Sequence, residues 1–570
     1  MAERKLPHWD LNPIYPGPES EKFENDIKRC FELIEKLEAI CPDASIPIVD
    51  ILKLFDECAA IAITLGAYAH ALHSTDATNA VYLNAMGRAE EVETALMAAQ
   101  DIMVYHVSKR ADEFDAPELE PYSLFLKEIK VLSEHQMSLE EEKLAGEFLR
   151  VSASAWSRLQ GSVTSTIVDG DKTLIELRGL ASSPDRAVRK DAFERELKIL
   201  EEHKVALAAA LNGVKGTVLL LEKRRGWNDP LERSVFTSRI TMKALESLIG
   251  ALEDSREMFR DYLRTKAKLM GLDKLDFYDL FAPVGSASRE YSFEEGAELV
   301  YKAYNAFSPE SGAFVKNAID KNWIDAEPRK GKRGGAYDTS FPLVGESRVF
   351  TNYDGSYDSI STLAHELGHA YHDSIVKDLP VSQADYPMTL AETASIFGEN
   401  LLFEDVMAAS TKDEQLPVLE QYVQGACQVC IDILSRFYFE REVFKRRKDG
   451  ELTADEMSAI MLKAQEDTYG DAVDVKHPYM WAVKSHYYSE GFSFYNYPYA
   501  FGQLFALGLF ASRNDVEDFP KYYRDILRST GSKTAVEVTR DAGIDIEDKA
   551  FWMKGINLIA SYAEKLKEWL

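Results

Sequence analysis

The chain has 570 residues, of which 46% are hydrophobic and 28% charged, and it carries a net charge of −29 at neutral pH. That length implies two to four folding units, and the composition is that of an ordinary soluble globular protein. The acidity argues against a nucleic-acid partner and against docking on an anionic membrane, since both draw affinity from Lys and Arg; it suits solubility, or an acidic cleft that favours basic peptides.

The five cysteines, Cys30, Cys41, Cys58, Cys427 and Cys430, are too few and too irregular for a disulfide framework and fit a reducing compartment. Cys427 and Cys430 form a lone C-x-x-C, without a second pair or a flanking His, and read as two buried structural thiols on one helix face. The N-terminal MAERKLPHWDLNPIYPG has no apolar stretch of signal-peptide length, and the run from Phe501 to Ala511 is too short to span a bilayer. Together these features predict a cytoplasmic protein with no membrane partner.

Along the chain the pattern is helical nearly throughout. From Glu21 to Leu37, Phe23, Ile27, Cys30, Phe31 and Ile34 recur at three- and four-residue steps, which predicts one buried helix face. Similar faces run through 47–107 and 120–165. A strand is expected within 163–178, where Val163, Ile167 and Leu174 sit among Thr and Gly. Ser183–Pro184 predicts a cap and first turn, opening a helix that turns Val188, Ala192, Phe193, Leu197 and Leu200 inward. Ser292 and Glu295 have the spacing of a capping box. The segment Ala326–Tyr337 (AEPRKGKRGGAY) is basic and glycine-rich, a solvated connector or a mobile loop at a cleft mouth. A second strand is expected at 347–353. No internal repeat is visible. We divide the chain into an N-terminal helical region, 1–185, and a catalytic region, 186–570, with lobes built from mixed segments.

The informative stretch follows: Thr362-Leu-Ala-His365-Glu366-Leu-Gly-His369-Ala-Tyr-His372. On a helix, His365 and His369 lie one turn apart on one face and can grip one zinc ion. Glu366, rotated by about 100°, can reach a water on that ion without taking a coordination position. Asp358, Ser359 and Ser361 offer caps where the helix would begin. A catalytic zinc needs three protein ligands and an open place. Glu392, in the second helical stretch Thr389 to Glu399, supplies the third. His372 is a rival, but one straight helix cannot wrap three ligands around an ion; it reads as a structural or supporting residue. Glu399, two turns after Glu392, can orient a ligand imidazole.

These motifs resemble the oligoendopeptidase F family of the thimet-oligopeptidase-like zinc metallopeptidases. The resemblance rests on Gly335-Ala-Tyr337, Phe350-Thr-Asn-Tyr-Asp-Gly355, Thr362 to His372, Ala391-Glu392-Thr-Ala-Ser395, Trp481-Ala-Val-Lys-Ser-His486 and Phe494-Tyr495-Asn-Tyr497-Pro-Tyr499-Ala, in that order, with weaker echoes at Ser154-Ala-Trp156 and from Ser183 to Arg189. It implies a mainly α fold, a two-lobed helical shell around a deep substrate channel with a small β-sheet beside the zinc-binding helix. It implies one Zn2+ per chain on His365, His369 and Glu392, with Glu366 as base and proton shuttle. The stretch from His486 to Tyr499 would supply donors to the tetrahedral intermediate, His486 and Tyr499 foremost, with Tyr495 and Tyr497 as substrate contacts. Phe350 and Asn352, on the strand ahead of the motif, are further candidate substrate contacts, the strand pairing with the peptide backbone. The expected activity is hydrolysis of internal bonds in short unstructured oligopeptides. A zinc carboxypeptidase on the same ligands, or a silent peptide-binding protein, is the alternative, and the oligomeric state is open.

Overall fold

The computed structural model describes residues 6–285 and 289–570, so the first five residues of the N-terminal stretch lie outside it. The described chain is mainly helical. Helices α1 (Glu21–Ile40), α2 (Ile48–Thr75) and α3 (Ala80–Val107) come first, then the long α4 (Arg186–Arg224) and α5 (Phe293–Phe307). Short strands β1 (Ile324–Asp325), β2 (Tyr337–Phe341) and β3 (Glu346–Phe350) precede α6 (Tyr357–Val376) and α7 (Met388–Ala409). The principal later helices are α8 (Ile433–Arg447), α9 (Tyr497–Ala511), α10 (Phe519–Ser529) and α11 (Lys549–Lys565). The chain divides into two compact units, each made of three separate stretches: 1–139, 288–409 and 512–543 form the first, and 140–287, 410–511 and 544–570 the second. Residue 185, the boundary read from the sequence, falls inside the second unit.

In the first unit, α1 follows its periodicity: Phe23, Ile27, Cys30, Ile34 and Leu37 are buried, and the Ser20 hydroxyl accepts from the Phe23 N–H. Each such buried apolar side chain contributes about 1.5–3 kcal/mol. They join Tyr15, Tyr68 and the buried faces of α2 and α3 in one core, which extends to Phe341 and Phe350. Ser292 and Glu295 form the expected capping box at the start of α5. The sheet order is β1-β3-β2, with β1 parallel and β2 antiparallel to β3. Both sides of β3 are therefore taken, and β1 and β2 are the edge strands. The segment 326–337 is tied down: Arg329 and Lys332 reach Asp325, Lys332 donates to the Thr351 carbonyl (2.6 Å), and the Ala77 N–H donates to the Gly331 carbonyl. It is a fastened connector.

In the second unit, the strand expected at 163–178 is replaced by a helix end and a two-residue pairing. Val163 belongs to the helix Ala153–Thr166, and only Val168–Asp169 and Lys172–Thr173 pair, around Gly170 at φ 61°. Thr173 then caps the next short helix with Glu176. The β-branched residues there serve a helix end and a cap. Helix α4 is capped by Asp185, whose carboxylate accepts from the Ala187 N–H, two residues beyond the predicted cap, Ser183. Ala192, Phe193 and Leu200 are buried as expected, but Val188 is exposed, and Arg189 and Glu196 take inward positions instead. They can do so because each is neutralised: Arg189 donates to Asp279 (2.9 Å), and Glu196 pairs with Arg178. Among the described residues α4 is the single helix long and apolar enough to cross a membrane, and half of its most apolar stretch is buried. Cys427 and Cys430 are free, buried thiols.

Candidate metal centre

Helix α6 begins at Ser356, whose hydroxyl accepts from the Ser359 N–H (3.2 Å). The cap lies ahead of Asp358, Ser359 and Ser361 because Gly355, at φ 85°, turns the chain just before it. Helix α7 crosses α6 at close range, and glycines permit it. A Cβ at Gly368 would sit 2.5 Å from the Ala394 carbonyl oxygen, and one at Gly398 would collide with the Tyr304 hydroxyl. Tyr304 donates that hydroxyl to the Ala364 carbonyl (2.7 Å), and Tyr523, on α10, donates to the Thr393 carbonyl (3.0 Å). The crossing carries Glu392 to the face that presents His365 and His369.

The three donor atoms converge. The two imidazole Nε2 atoms lie 3.2 Å apart, and Glu392 Oε2 lies 3.3 Å from His365 Nε2 and 3.5 Å from His369 Nε2. Tetrahedral bonds of about 2.0–2.1 Å require ligand atoms about 3.3–3.4 Å apart, so one small cation fits between them. Nitrogen, nitrogen and carboxylate oxygen are also the donors that zinc takes in catalytic sites. The Nδ1–H of His365 donates to Glu399, which fixes the tautomer with Nε2 turned toward the cluster. Ser395 donates to Glu392 Oε2 (2.9 Å). Burial opposes charge on Glu392, but the bond to His369 and the two imidazoles bring its pKa down to about 2. Burial likewise opposes protonation of His365, yet Glu399 and Glu392 hold its pKa up at about 10, so a metal must displace a proton there.

Around this cluster lies a cavity of about 630 Å³, lined by the three ligands, Glu366, Asp373, Tyr386 and the whole of β2. Glu366 is buried, and burial raises its pKa above the usual range despite the pull of the two imidazoles. Tyr386 donates to Asp373 (2.6 Å). Asp373 and Asp338 face each other, and burial, together with the neighbouring carboxylate for Asp338, raises both above the usual carboxylate range. His372 is fully buried away from the ligands: Nε2–H donates to the Leu527 carbonyl (3.2 Å), the Thr530 hydroxyl lies 2.8 Å away, and the ring stacks on Tyr386 at 4.1 Å. Its place is structural, joining α6 to α10.

Two of the expected substrate contacts are spent otherwise. Phe350 is fully buried between Trp9 and Tyr337, and the Asn352 amide holds the carbonyls of Arg333 (3.0 Å) and Gly335 (2.9 Å). The strand they flank has no vacant edge; the edge facing the cavity is that of β2, which the sequence reading passed over because 337–341 lacks a run of β-branched residues.

In the second unit, His486 sits in a single turn, Ser485–Tyr488, and Phe494 adopts a left-handed backbone (φ 56°) before α9 begins. This bend sets Tyr495 against His486, ring centroids 5.9 Å apart, and Tyr499 donates its hydroxyl to that of Tyr495 (2.9 Å). The Asn496 amide donates to His486 Nε2 (2.9 Å), which assigns the ring proton to Nδ1. Burial and the nearby Arg436 and Lys484 push the His486 pKa down to about 3, so the ring is neutral at pH 7. Tyr497 does not join this group. It is fully buried and its hydroxyl is engaged by Ser234 and Ser238 (2.9 Å).

Sequence reasoning missed Gly368, Gly398, Ser395 and Asn496. The signals were modest but present: a glycine inside the H-E-L-G-H turn, a Ser three residues after the third ligand, an Asn between two tyrosines.

Two imidazoles one helical turn apart, an acid beside them and a carboxylate from a crossing helix are the parts of a metallopeptidase site of the H-E-x-x-H class. The chain belongs to peptidase family M3, whose model matches residues 179–558, while the oligopeptidase F model matches residues 109–168; it is a metalloendopeptidase. It is 24% identical to oligopeptidase PepF of Bacillus subtilis over 563 residues, covering 94% of this chain and 83% of that one. It is 23% identical to group B oligopeptidase PepB of Streptococcus agalactiae, covering 94% and 93%. The fold matches a peptidase candidate from Chlamydophila abortus (TM-score 0.84, 21% identity, 99% and 98% covered) and oligoendopeptidase F from Enterococcus faecium (TM-score 0.70, 20% identity, 96% and 99% covered).

Proposed function

We propose that this protein is a zinc-dependent endopeptidase of short, unstructured oligopeptides, with His365, His369 and Glu392 holding one zinc ion per chain. The observation that carries the reading is the near-equal spacing of the three donor atoms, 3.2, 3.3 and 3.5 Å, beside a cavity lined by an edge strand. Zinc bound there would polarise the scissile carbonyl and bring the pKa of its water toward ~7.

The chain supplies the rest. Glu366 takes the proton of the attacking water and passes it to the leaving amine, a step worth about 10² to 10⁴ in rate. Glu399 keeps His365 in the tautomer that offers Nε2. The unpaired edge of β2 offers backbone donors and acceptors to an extended peptide, so recognition makes few demands on side chains. His486 and Tyr499 are proposed as donors to the tetrahedral intermediate, each contributing on the order of 10²-fold; the family resemblance and the neutral state of His486 support this. Tyr495, hydrogen-bonded to Tyr499, remains a candidate substrate contact. The names of the bacterial relatives support oligopeptide substrates, and five buried free thiols support a cytoplasmic location.

The test is digestion of a peptide library blocked at both ends, with and without a chelator. Internal cuts that vanish with the chelator and return with zinc are expected. Release of C-terminal residues from unblocked peptides only, with the blocked library intact, would replace the reading with a carboxypeptidase.

A further inference from the structure

The second unit contains a partly enclosed cavity of about 130 Å³ whose wall mixes apolar groups, among them Leu263, Phe193, Phe277 and Tyr278, with charged ones. Nearly every ion in that wall is matched. Arg178 pairs with Glu196, which also takes His477 Nε2 (3.1 Å); Arg189 pairs with Asp279 (2.9 Å); Arg436 pairs with Asp432, which also accepts from Tyr469 (3.2 Å). Lys484 is the exception. It lines the same cavity, is partly buried, and has no hydrogen-bond or ion-pair partner among the described residues. A cation withdrawn from water without a bonded counter-ion is costly and is usually paired.

We propose that this cavity binds a small carboxylate with an apolar body, its carboxylate paired with Lys484. The size sets the body: a cavity of about 150 Å³ accepts a benzene ring, so one ring or a few branched carbons fill this one. The wall sets the charge. A zwitterion's ammonium would find Glu196 and Asp432 already engaged, whereas a monoanion meets the single unmatched ion. Burial and the adjacent Arg436 hold the Lys484 pKa down at about 8, a penalty that an entering carboxylate relieves. The cavity also communicates with His486: Arg436 donates to the Asn496 side-chain oxygen (3.3 Å), and the Asn496 amide donates to His486 (2.9 Å). The carboxylate comes from a free small acid or from the terminus of a peptide.

Calorimetric titration of the full chain with benzoate and with its neutral twin, benzamide, tests the site without relying on peptidase activity. Saturable 1:1 binding of benzoate, about tenfold or more tighter than benzamide, is expected in the wild type, with the preference abolished in Lys484→Met. That variant removes an unpaired, partly buried charge, and its thermal denaturation midpoint confirms that it folds. Peptides with free and amidated C-termini separate the sources: a KM about tenfold lower for the free acid, with benzoate competing, marks the peptide terminus, whereas equal KM values and a non-competitive benzoate effect on both mark a free acid. Equal affinity for benzoate and benzamide, no saturable binding, or unchanged benzoate binding by Lys484→Met would overturn the proposal.

Discussion

The residues chosen for chemistry stand on two different kinds of backbone. In the first unit, His365, Glu366, His369, Glu392 and Glu399 project from two helices locked at their crossing by glycines and by tyrosine hydroxyls on backbone carbonyls. In the second, His486, Tyr495 and Tyr499 are gathered by one short turn, a left-handed Phe494 and the first turn of α9. Helical spacing converts sequence separation directly into direction, so the first group is rigid, and its members have definite partners. The second group depends on bends that no periodicity encodes, and its neighbours diverge: Tyr497 faces inward while Tyr495 and Tyr499 share a face.

The comparison predicts effects of unequal size. His369→Ala should be the most severe, with zinc content by mass spectrometry falling from one per chain toward none and hydrolysis abolished; a variant retaining full zinc would dissolve the proposed ligand set. Tyr499→Phe should lower kcat by about 10²-fold with zinc unchanged, whereas Tyr497→Phe should cost about 1 kcal/mol of stability and leave kcat near normal. If the two behave alike in kcat, the split drawn between the tyrosines is mistaken. Glu399→Gln should weaken zinc affinity about 10- to 100-fold, measured by competition with a chromogenic chelator, because His365 loses the acceptor that fixes its tautomer.

A smaller effect lies in the first unit's response to acid. Burial holds His372 at a pKa of about 3, below its unfolded value of 6.5. The unfolded chain therefore binds the extra proton first. The stability contributed by keeping this ring neutral is complete above pH 6.5 and is lost as pH falls toward 3. Between pH 7 and pH 5 the loss is about 2 kcal/mol, so the wild type should lose more stability in urea titrations than His372→Gln over that interval. Parallel pH dependences would remove His372 from this role.

What the sequence made legible follows the same division. The spacing of His365 and His369 and the two-turn offset from Glu392 to Glu399 are periodic facts, whereas the meeting of Glu392 with the two imidazoles depends on the crossing of α6 and α7. The helical character of most of the chain and the capping box at Ser292 were readable for the same reason. The burial of Phe350 and the use of Asn352 as a clamp were not, because they depend on which sheet edge stays open and on long-range packing against Trp9. Lobes of mixed segments were expected, but where the segments change over was not legible: the boundary read at 185 falls inside one unit. The Thr- and Gly-containing stretch at 163–178 misled because β-branched residues also close helices and cap them.

The most direct measurement is of Glu366→Gln, assayed for zinc content and for cleavage of a peptide blocked at both ends. The account predicts about one zinc per chain in wild type and variant alike, with turnover in the variant reduced by about 10² to 10⁴. Near-normal turnover by a variant that still holds its zinc would contradict it.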